Sequence, residues 1–340
     1  AQHINIGGYD ITIQNIYIDE QRINFEAIME TKVDDMITSD DDNVDNTSYY
    51  ELYVDSVEAA MSGGNFDKDE DGNIKTTINI VGGNIAELIE GKNTLSLKLK
   101  LLKVSASYEK SDDFKYETLG TTNVELEIPK QLSKTKNIEI NKQIDDGDLN
   151  LNIDKLRVSP TMMYLNTYGE VTNIGELQGL DNLRIISENG EIYKSSLELS
   201  GMGLENGGWS QTIVPSVYYD KGKKLRLKAD GVLVNANKKI ELKIDDKYPK
   251  KIDYFGKEVI IKDVKYSKGH LTVKYTTDSS ISYDGSSELD GNSSIATSYE
   301  TGSKISSIEF ENVDKKESYL LDLRLVIKYS YPINIEIENR

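Results

Sequence analysis

The stretch Gly7 to Phe25, GGYDITIQNIYIDEQRINF, returns twice further along the chain, and this recurrence restricts the possible folds more than any other feature. Ile11, Ile13, Ile16, Ile18, Ile23 and Phe25 are matched by Leu151, Ile153, Leu156, Val158, Met163 and Leu165 at a constant offset of 140 (Leu151 against Ile11). Val259, Ile261, Val264, Tyr266, Leu271 and Val273 follow at a constant offset of 248 (Val259 against Ile11). Each copy comes after a glycine-bearing turn: Gly7-Gly8, Gly147-Asp148 and Gly256-Lys257. Within each copy apolar residues alternate, slip phase by one position between the equivalents of Ile13 and Ile16, and alternate again. Alternation sends successive side chains to opposite faces of a strand, and one extra residue swaps the faces as a bulge does. A short polar turn (DEQR, SPTM or SKGH) then leads into a return strand. Three such copies predict three β modules in a row.

The predicted modules also end alike, on VELEI, IELKI and INIEI, each an apolar-polar alternation over five residues. Pro129 and the run Asp245 to Pro249 supply the breaks. The expected organisation is therefore residues 1–129, 130–247 and 248–340, each with six to eight short strands. That strand count predicts an all-β chain of three consecutive immunoglobulin-like β-sandwich modules. With no cysteine and one tryptophan, the likeness to immunoglobulins is one of architecture only.

Between the repeats, Tyr50, Leu52 and Val54 alternate, as do Leu95, Leu97, Leu99 and Leu101. Asn84 to Glu90, followed by Gly91, is the only stretch that reads as a helix in the first module, of one or two turns. Glu188-Asn189-Gly190 is a hairpin signal. Leu225 and Leu227 mark one strand, Ile240 to Ile244 another, and Leu321 with Leu323 and Ile333 to Ile337 two late ones. Asp34 to Asn46 and Thr277 to Thr297 offer apolar residues at no regular period and are expected to be exposed, irregular loops.

At 340 residues the chain is long enough for two or three cores, and its net charge of −18 argues against nucleic acid and anionic surfaces as partners. No apolar run approaches the ~20 residues of a membrane helix, and no secretory leader is expected. The first residue, Ala1, points to a processed or trimmed N-terminus. The absence of cysteine removes disulfides and thiolate sites. Tyrosine is abundant at 21 residues, which suits half-buried strands with wet hydroxyls better than a sugar-binding strip.

Chemistry-bearing residues are sparse. The two histidines, His3 and His270, lack partners at metal-ligand spacing, and no Ser-His-Asp set is implied. The glycine-rich GMGLENGG at Gly201 to Gly208 has neither phosphate-binding spacing nor a following helix pattern. The sharpest constellation is Asp67, Asp69, Asp71, Gly72, Asn73 and Ile74, which matches the first half of a calcium loop. Position twelve is Ile78, which has no carboxylate, so the pattern fails as an EF-hand. It stands as a calcium-binding hairpin loop if Asp55, Asp40 to Asp42 or solvent complete the shell. It also stands as a solvated turn with Gly72 at positive φ. Calcium through Asp67, Asp69, Asp71 and Asn73 is the one cofactor the residues suggest. Enzymatic activity is not expected.

The opening G-x-x-I-T-I-x-x-I-Y-I-D-x-x-x-I-x-F, the strand NTLSLKLKLLKV, and the run NVELEIPKQ…TKNIEINKQI…LNLNIDKLRVSPTMMYL together resemble a known arrangement. It is the extracellular part of membrane-anchored proteins of Gram-positive bacteria that act as negative effectors of extracytoplasmic-function sigma factors. Ser159-Pro160-Thr161 and LRIISENGEIYKSS resemble that family's second domain, and the resemblance spans about residues 5 to 235. It implies a non-enzymatic binding or sensing ectodomain, outside the cell membrane and joined to it by a helix that is not in this chain. Its partner would be an extracellular ligand or envelope protein, and it carries over no catalytic residues. The alternative is a surface-adhesion or wall-associated array in which the sandwiches act as spacers.

Overall fold

The computed structural model describes residues 1–30, 46–55, 63–69, 73–81, 85–107, 115–130, 134–195, 201–204, 207–220, 224–283, 287–300 and 304–338. The chain is all-β, with antiparallel sheets throughout and a single short helix among the described residues. Contacts divide it into two compact units: Ala1–Lys136 with Val158–Met162, and Asn137–Arg157 with Met163–Arg340.

The first unit opens with β1 (Gln2–Ile6), β2 (Tyr9–Ile18), β3 (Arg22–Met29) and β4 (Asn46–Val54). It continues with β5 (Gly63–Asn65), β6 (Asp67–Lys68), β7 (Ile74–Val81) and the helix α1 (Ile85–Ile89), and closes with β8 (Thr94–Ser107) and β9 (Lys115–Glu127). Two sheets result, ordered β1-β2-β3-β7-β6 and β5-β4-β8-β9. Strict alternation explains how they meet: Ile23, Phe25, Ala27 and Met29 are the buried residues of β3, and the residues between them face outward. One core joins Ile13, Phe25 and Ile78 of the first sheet to Leu52, Leu97 and Leu126 of the second. The helix falls where Asn84 to Glu90 predicts one, and Gly91 ends it at φ 68°, the left-handed conformation that glycine adopts without a Cβ clash. The segment Asp34 to Asp45, expected to be a loop, lies outside the described residues, and Asn46 begins β4.

The second unit runs through β10 (Lys136–Asp146), β11 (Leu149–Val158), β12 (Met163–Val171), β13 (Gly175–Asp181), β14 (Arg184–Ser187) and β15 (Ile192–Lys194). Next come β16 (Gly201–Gly203), β17 (Trp209–Ile213), β18 (Lys224–Lys243), β19 (Lys250–Tyr254), β20 (Lys257–Ser267) and β21 (His270–Thr277). The last strands are β22 (Ile281–Tyr283), β23 (Glu288–Leu289), β24 (Asn292–Ser293), β25 (Ala296–Glu300), β26 (Ile305–Phe310) and β27 (Ser318–Glu338). One large sheet follows the path β10-β11-β12-β13-β18-β27-β23-β24 with side branches, and a five-stranded sheet is ordered β19-β20-β21-β26-β25. The Glu188-Asn189-Gly190 signal closes the β14–β15 hairpin, with Gly190 at φ 86°.

The repeated motif is a three-stranded meander in all three places: β1-β2-β3, β10-β11-β12 and β19-β20-β21. In the first copy β2 and β3 pair as Gln14↔Glu26 and then Tyr17↔Asn24. In the third, β20 and β21 pair as Ile261↔Tyr275 and then Asp263↔Lys274. Partner numbers sum to 40 and then 41 in the first copy (14 + 26, 17 + 24), and to 536 and then 537 in the third (261 + 275, 263 + 274). Twice the offset of 248 is 496, which accounts for both differences, so the two ladders have the same register on either side of one inserted residue. The predicted phase slip is thus a β-bulge. Leu156 and Val264 are buried, as expected, at 0% and 4% exposure, whereas Ile16 is only half-buried. Asn15 explains the difference. It takes φ 52° at the bulge and donates through Nδ2 to Glu26 Oε2 at 2.6 Å, which turns the following residue partly out of the core.

Two strands far longer than the sequence suggests organise the second unit. Leu225-Leu227 and Ile240-Leu242 are parts of β18, and Leu321-Leu323 and Ile333-Ile337 are parts of β27. The two strands pair from Lys224↔Glu338 to Lys243↔Ser318, so one ladder joins the segments 130–247 and 248–340. A register shift at Ala229/Gly231 switches which face of β18 is buried. Gly231 is required there, since a Cβ would stand 2.3 Å from the Tyr329 carbonyl oxygen. The half of this ladder that carries Ala236, Ile240, Leu242, Leu321 and Leu325 shares a core with Val259, Leu271 and Phe310 of the five-stranded sheet. Tyr254 locks it: its hydroxyl lies 2.7 Å from the Ala236 carbonyl and 2.8 Å from that of Leu323.

Thr277 to Thr297, expected to be an irregular loop, instead contains β22, β23 and β24 and the start of β25. Ile281 and Leu289 are buried, and β23 and β24 close on a two-residue Asp290-Gly291 turn with both φ values positive. Strands of two or three residues are too short to show a period, so the composition of the stretch conceals them.

Candidate functional site

The acidic turn suggested as a calcium loop joins β6 to β7, which pair as Asp67↔Lys75 and Lys68↔Ile74. Asp69 closes the turn. Its N–H donates to the Asn73 carbonyl at 2.9 Å, and its carboxylate accepts from the Asn73 N–H at 2.8 Å and from Asn73 Nδ2 at 3.3 Å. Lys75 Nζ stands 3.0 Å from Asp69 Oδ2. The hydrogen bond from Lys75, with those from Asn73, holds the Asp69 carboxyl down to about 2. Both oxygens of Asp69 are therefore engaged within the hairpin. Asp67 is exposed on β6, and Asp71 and Gly72 lie outside the described residues. Of the side chains that could complete a cation shell, Asp55 pairs with Lys98 at 3.0 Å, and Asp40 to Asp42 lie outside the described residues. Among the described residues no three His, Cys, Asp or Glu side chains converge as a metal site would need.

The structure brings together one polar set that spacing alone did not suggest. The Gly7-Gly8 turn pairs His3 with Thr12, whose hydroxyl lies 2.8 Å from His3 Nδ1 and donates to Glu30 Oε1. A signal for this was present. A two-residue turn at positions 7 and 8 makes partner numbers sum to 15, which sets 3 opposite 12. The His3 side chain is 74% exposed, so the set sits on an open sheet face and encloses no substrate space. His270, at the start of β21, is exposed.

Other candidates resolve into packing. Tyr50, Tyr254, Tyr275 and Tyr319 lie in strands but are fully buried rather than half-buried with wet hydroxyls, and the Tyr254 hydroxyl is satisfied by backbone carbonyls instead of water. The glycine-rich stretch forms β16 against β17, with Gly203 opposite Trp209. The turns DEQR and SPTM are equivalent hairpin ends: Asp19 N–H donates to the Arg22 carbonyl at 3.0 Å, and Ser159 N–H to that of Met162 at 2.9 Å. Within the first unit Asp19, nearly fully buried, accepts at 2.7 Å from Thr161 Oγ1 and at 2.8 Å from the Gln21 N–H. It is an ionisable group satisfied by turn donors.

Comparison with known proteins adds one family match. Residues 135–252 match a family of unknown function, DUF5643. No curated protein matches the chain. Among solved structures, the chain is similar to the conserved domain protein from Bacillus anthracis, with 11% identity and a TM-score of 0.48, covering 100% of this chain and 90% of that one. It is similar at a TM-score of 0.14 and 10% identity to an uncharacterized Listeria monocytogenes EGD-e protein in complex with glucose, magnesium and calcium, covering 91% of this chain and 29% of that one. A third likeness is to the cycloalternan-forming enzyme from Listeria monocytogenes in complex with a pentasaccharide substrate, at a TM-score of 0.13 and 10% identity, with the same coverage.

Proposed function

We propose that this chain is the non-catalytic, outward-facing binding or sensing region of a membrane-anchored regulator, of the kind that restrains an extracytoplasmic-function sigma factor. It would consist of three immunoglobulin-like modules, each opened by one copy of the meander, the second and third sharing the β18–β27 ladder. The observation that carries this reading is how the chemistry-bearing side chains are used. Asp69 is held by Lys75 and Asn73, Asp55 by Lys98, and Asp19 by Thr161 and backbone N–H groups. Each closes a turn or ties two strands, so the carboxylates serve shape rather than reaction. The sigma-factor assignment draws on the family-like strands over residues 5 to 235, a span that overlaps the matched region of unknown function. No helix among the described residues is long and apolar enough to cross a membrane, so anchoring would come from outside them.

The test is genetic. Deleting residues 1–340 from the encoding gene, with the rest of the product kept at its normal level, should change transcription from the promoters of the cognate sigma factor. Unchanged promoter activity would defeat the regulatory reading and favour the spacer array instead.

A further inference from the structure

Within the second unit, the inner face of the five-stranded sheet changes character at one end. Along β21 and β26 its core residues include Leu271, Val273, Ile308 and Phe310, all buried. Tyr275 pairs with Ser306, and Ile308 pairs with both Val273 and Thr297, so Ser306 and Thr297 share that face. Thr277, two residues beyond Tyr275, lies on it too, opposite the buried Val259. Hydroxyls thus stand where the rest of the face is aliphatic. With Tyr275, Ile281 and Lys304 they line a cavity of about 540 Å³. Tyr275 and Ile281 are buried at its floor, Thr277 and Ser306 are half-buried, and Thr297 and Lys304 are exposed at its mouth. Among the described residues, the side chains of Thr277, Thr297 and Ser306 make no hydrogen bond, and Lys304 has no ion pair. Elsewhere in the unit, Tyr254, Tyr266 and Tyr319 all donate their hydroxyls to carbonyls. The carboxylate at the cavity, Asp278, is taken up by its own turn. It accepts from the Ser280 N–H at 2.7 Å and from the Ser280 hydroxyl.

We propose that this cavity binds a sugar acid, a small polyhydroxylated ring that carries one carboxylate. Small-ligand sites of roughly 300–1,000 Å³ combine apolar walls with a few convergent polar groups, and this cavity does both. Lys304 meets the carboxylate at the mouth, where an ammonium and a carboxylate form a charge-assisted hydrogen bond. The hydroxyls of Thr277, Thr297 and Ser306 each donate and accept, as ring hydroxyls do, so the two sets satisfy one another. The C–H face of the ring rests on Ile281. One negative charge fits and a second does not. Lys304 is the only cation lining the cavity among the described residues, Asp278 is beside it, and the chain as a whole carries −18. This site stands apart from the regulatory proposal: binding is read on the isolated chain, and promoter activity in the cell.

Titration of the full chain with sodium glucuronate, followed by amide NMR shifts, tests it. The shifts should saturate and concentrate at Thr277, Thr297, Lys304 and Ser306. Glucose, which lacks the carboxylate, and acetate, which lacks the hydroxyls, should each bind at least about tenfold more weakly. Lys304→Met should bring glucuronate down to the level of glucose. Thr277→Val removes one hydroxyl at nearly constant shape and should weaken both sugars. Thermal melting checks the fold of each variant, and if one fails, the ligand series on the unaltered chain decides. Methyl glucuronoside, blocked at the anomeric oxygen, distinguishes the source. Binding equal to glucuronate supports the site with a polysaccharide end as its ligand, and binding about tenfold weaker supports it with the free acid. No saturating shift with glucuronate, equal binding of glucose or acetate, or unchanged affinity in Lys304→Met would overturn the proposal.

Discussion

The first and third copies of the meander share a register, yet they do not use it alike. In the third copy Asp263 pairs with Lys274 and Val264 with Val273, and Val264 is buried at 4% exposure. In the first copy Asn15 is left-handed and bonded to Glu26, so the ladder resumes only at Tyr17 and Ile16 stays half-buried. Their entry turns differ too. Gly7-Gly8 and Phe255-Gly256 both place two residues at positive φ, and the counterparts Gly8 and Gly256 both face open space, but Gly7, whose counterpart is Phe255, abuts the backbone of Leu119. An equal hydrophobic pattern therefore secures equal strand pairing. The burial and steric demand of each position are set by its neighbours.

The sharpest way to break this comparison is to truncate the equivalent side chains of the phase slip. Leu156→Ala removes a fully buried side chain and should cost about 2–5 kcal/mol. Ile16→Ala removes three carbons at about 0.8 kcal/mol each, but from a half-buried site, and should cost about 1 kcal/mol. Urea unfolding of both variants measures the difference. Equal losses would mean that Asn15 does not turn Ile16 out of the core.

Much of this was legible. The offsets of 140 (151 − 11) and 248 (259 − 11) located the repeated strand pair of each meander, whereas the third entry turn, read as Gly256-Lys257, is Phe255-Gly256, since Tyr254 already pairs with Lys257. The helix at Ile85–Ile89 and the hairpin at Gly190 followed from local capping and turn chemistry. The continuity of β18 and β27 did not, because the bulge at Gly231 breaks the alternation of β18 into two phases that read as separate strands. The short strands β23 and β24 were hidden as well. The burial of Leu289 comes from pairing with Leu321, 32 residues away (321 − 289), and no local period records such a contact. In the candidate site, the acidic spacing of Asp67 to Asn73 was visible, but the capture of Asp69 by Lys75 required the hairpin register.

A second test concerns the entry turns. Any L side chain at positive φ costs about 1–2 kcal/mol, and Gly256→Ala, with nothing near its added Cβ, should lose only that. At Gly7 the Cβ would meet the Leu119 carbonyl oxygen at 2.4 Å, so backbone must shift as well, for about 1–3 kcal/mol more. Thermal unfolding should therefore rank Gly7→Ala below Gly256→Ala. The reverse order would show that β9 yields freely beside the first turn.

The smallest effect separates a turn held by glycine from one held by charge. With Asp69 at about 2, below the ordinary carboxylate value of about 3.9, the folded hairpin favours the ionised form. Its contribution is fully present above about pH 4 and is lost as pH falls through about 2, a dependence the glycine turns lack. A carboxyl-carbon NMR titration of Asp69 should give a midpoint near 2, and Lys75→Met should raise it. A midpoint near 4 in the unaltered chain would mean that the ammonium is not in place. The same variant addresses calcium, because Lys75 and a cation compete for Asp69 Oδ2. If the hairpin is the metal site, Lys75→Met binds calcium more tightly than the unaltered chain and Asp69→Ala loses it. Binding that is unchanged in Asp69→Ala removes the hairpin as a metal site and leaves Asp69 as the closure of its turn.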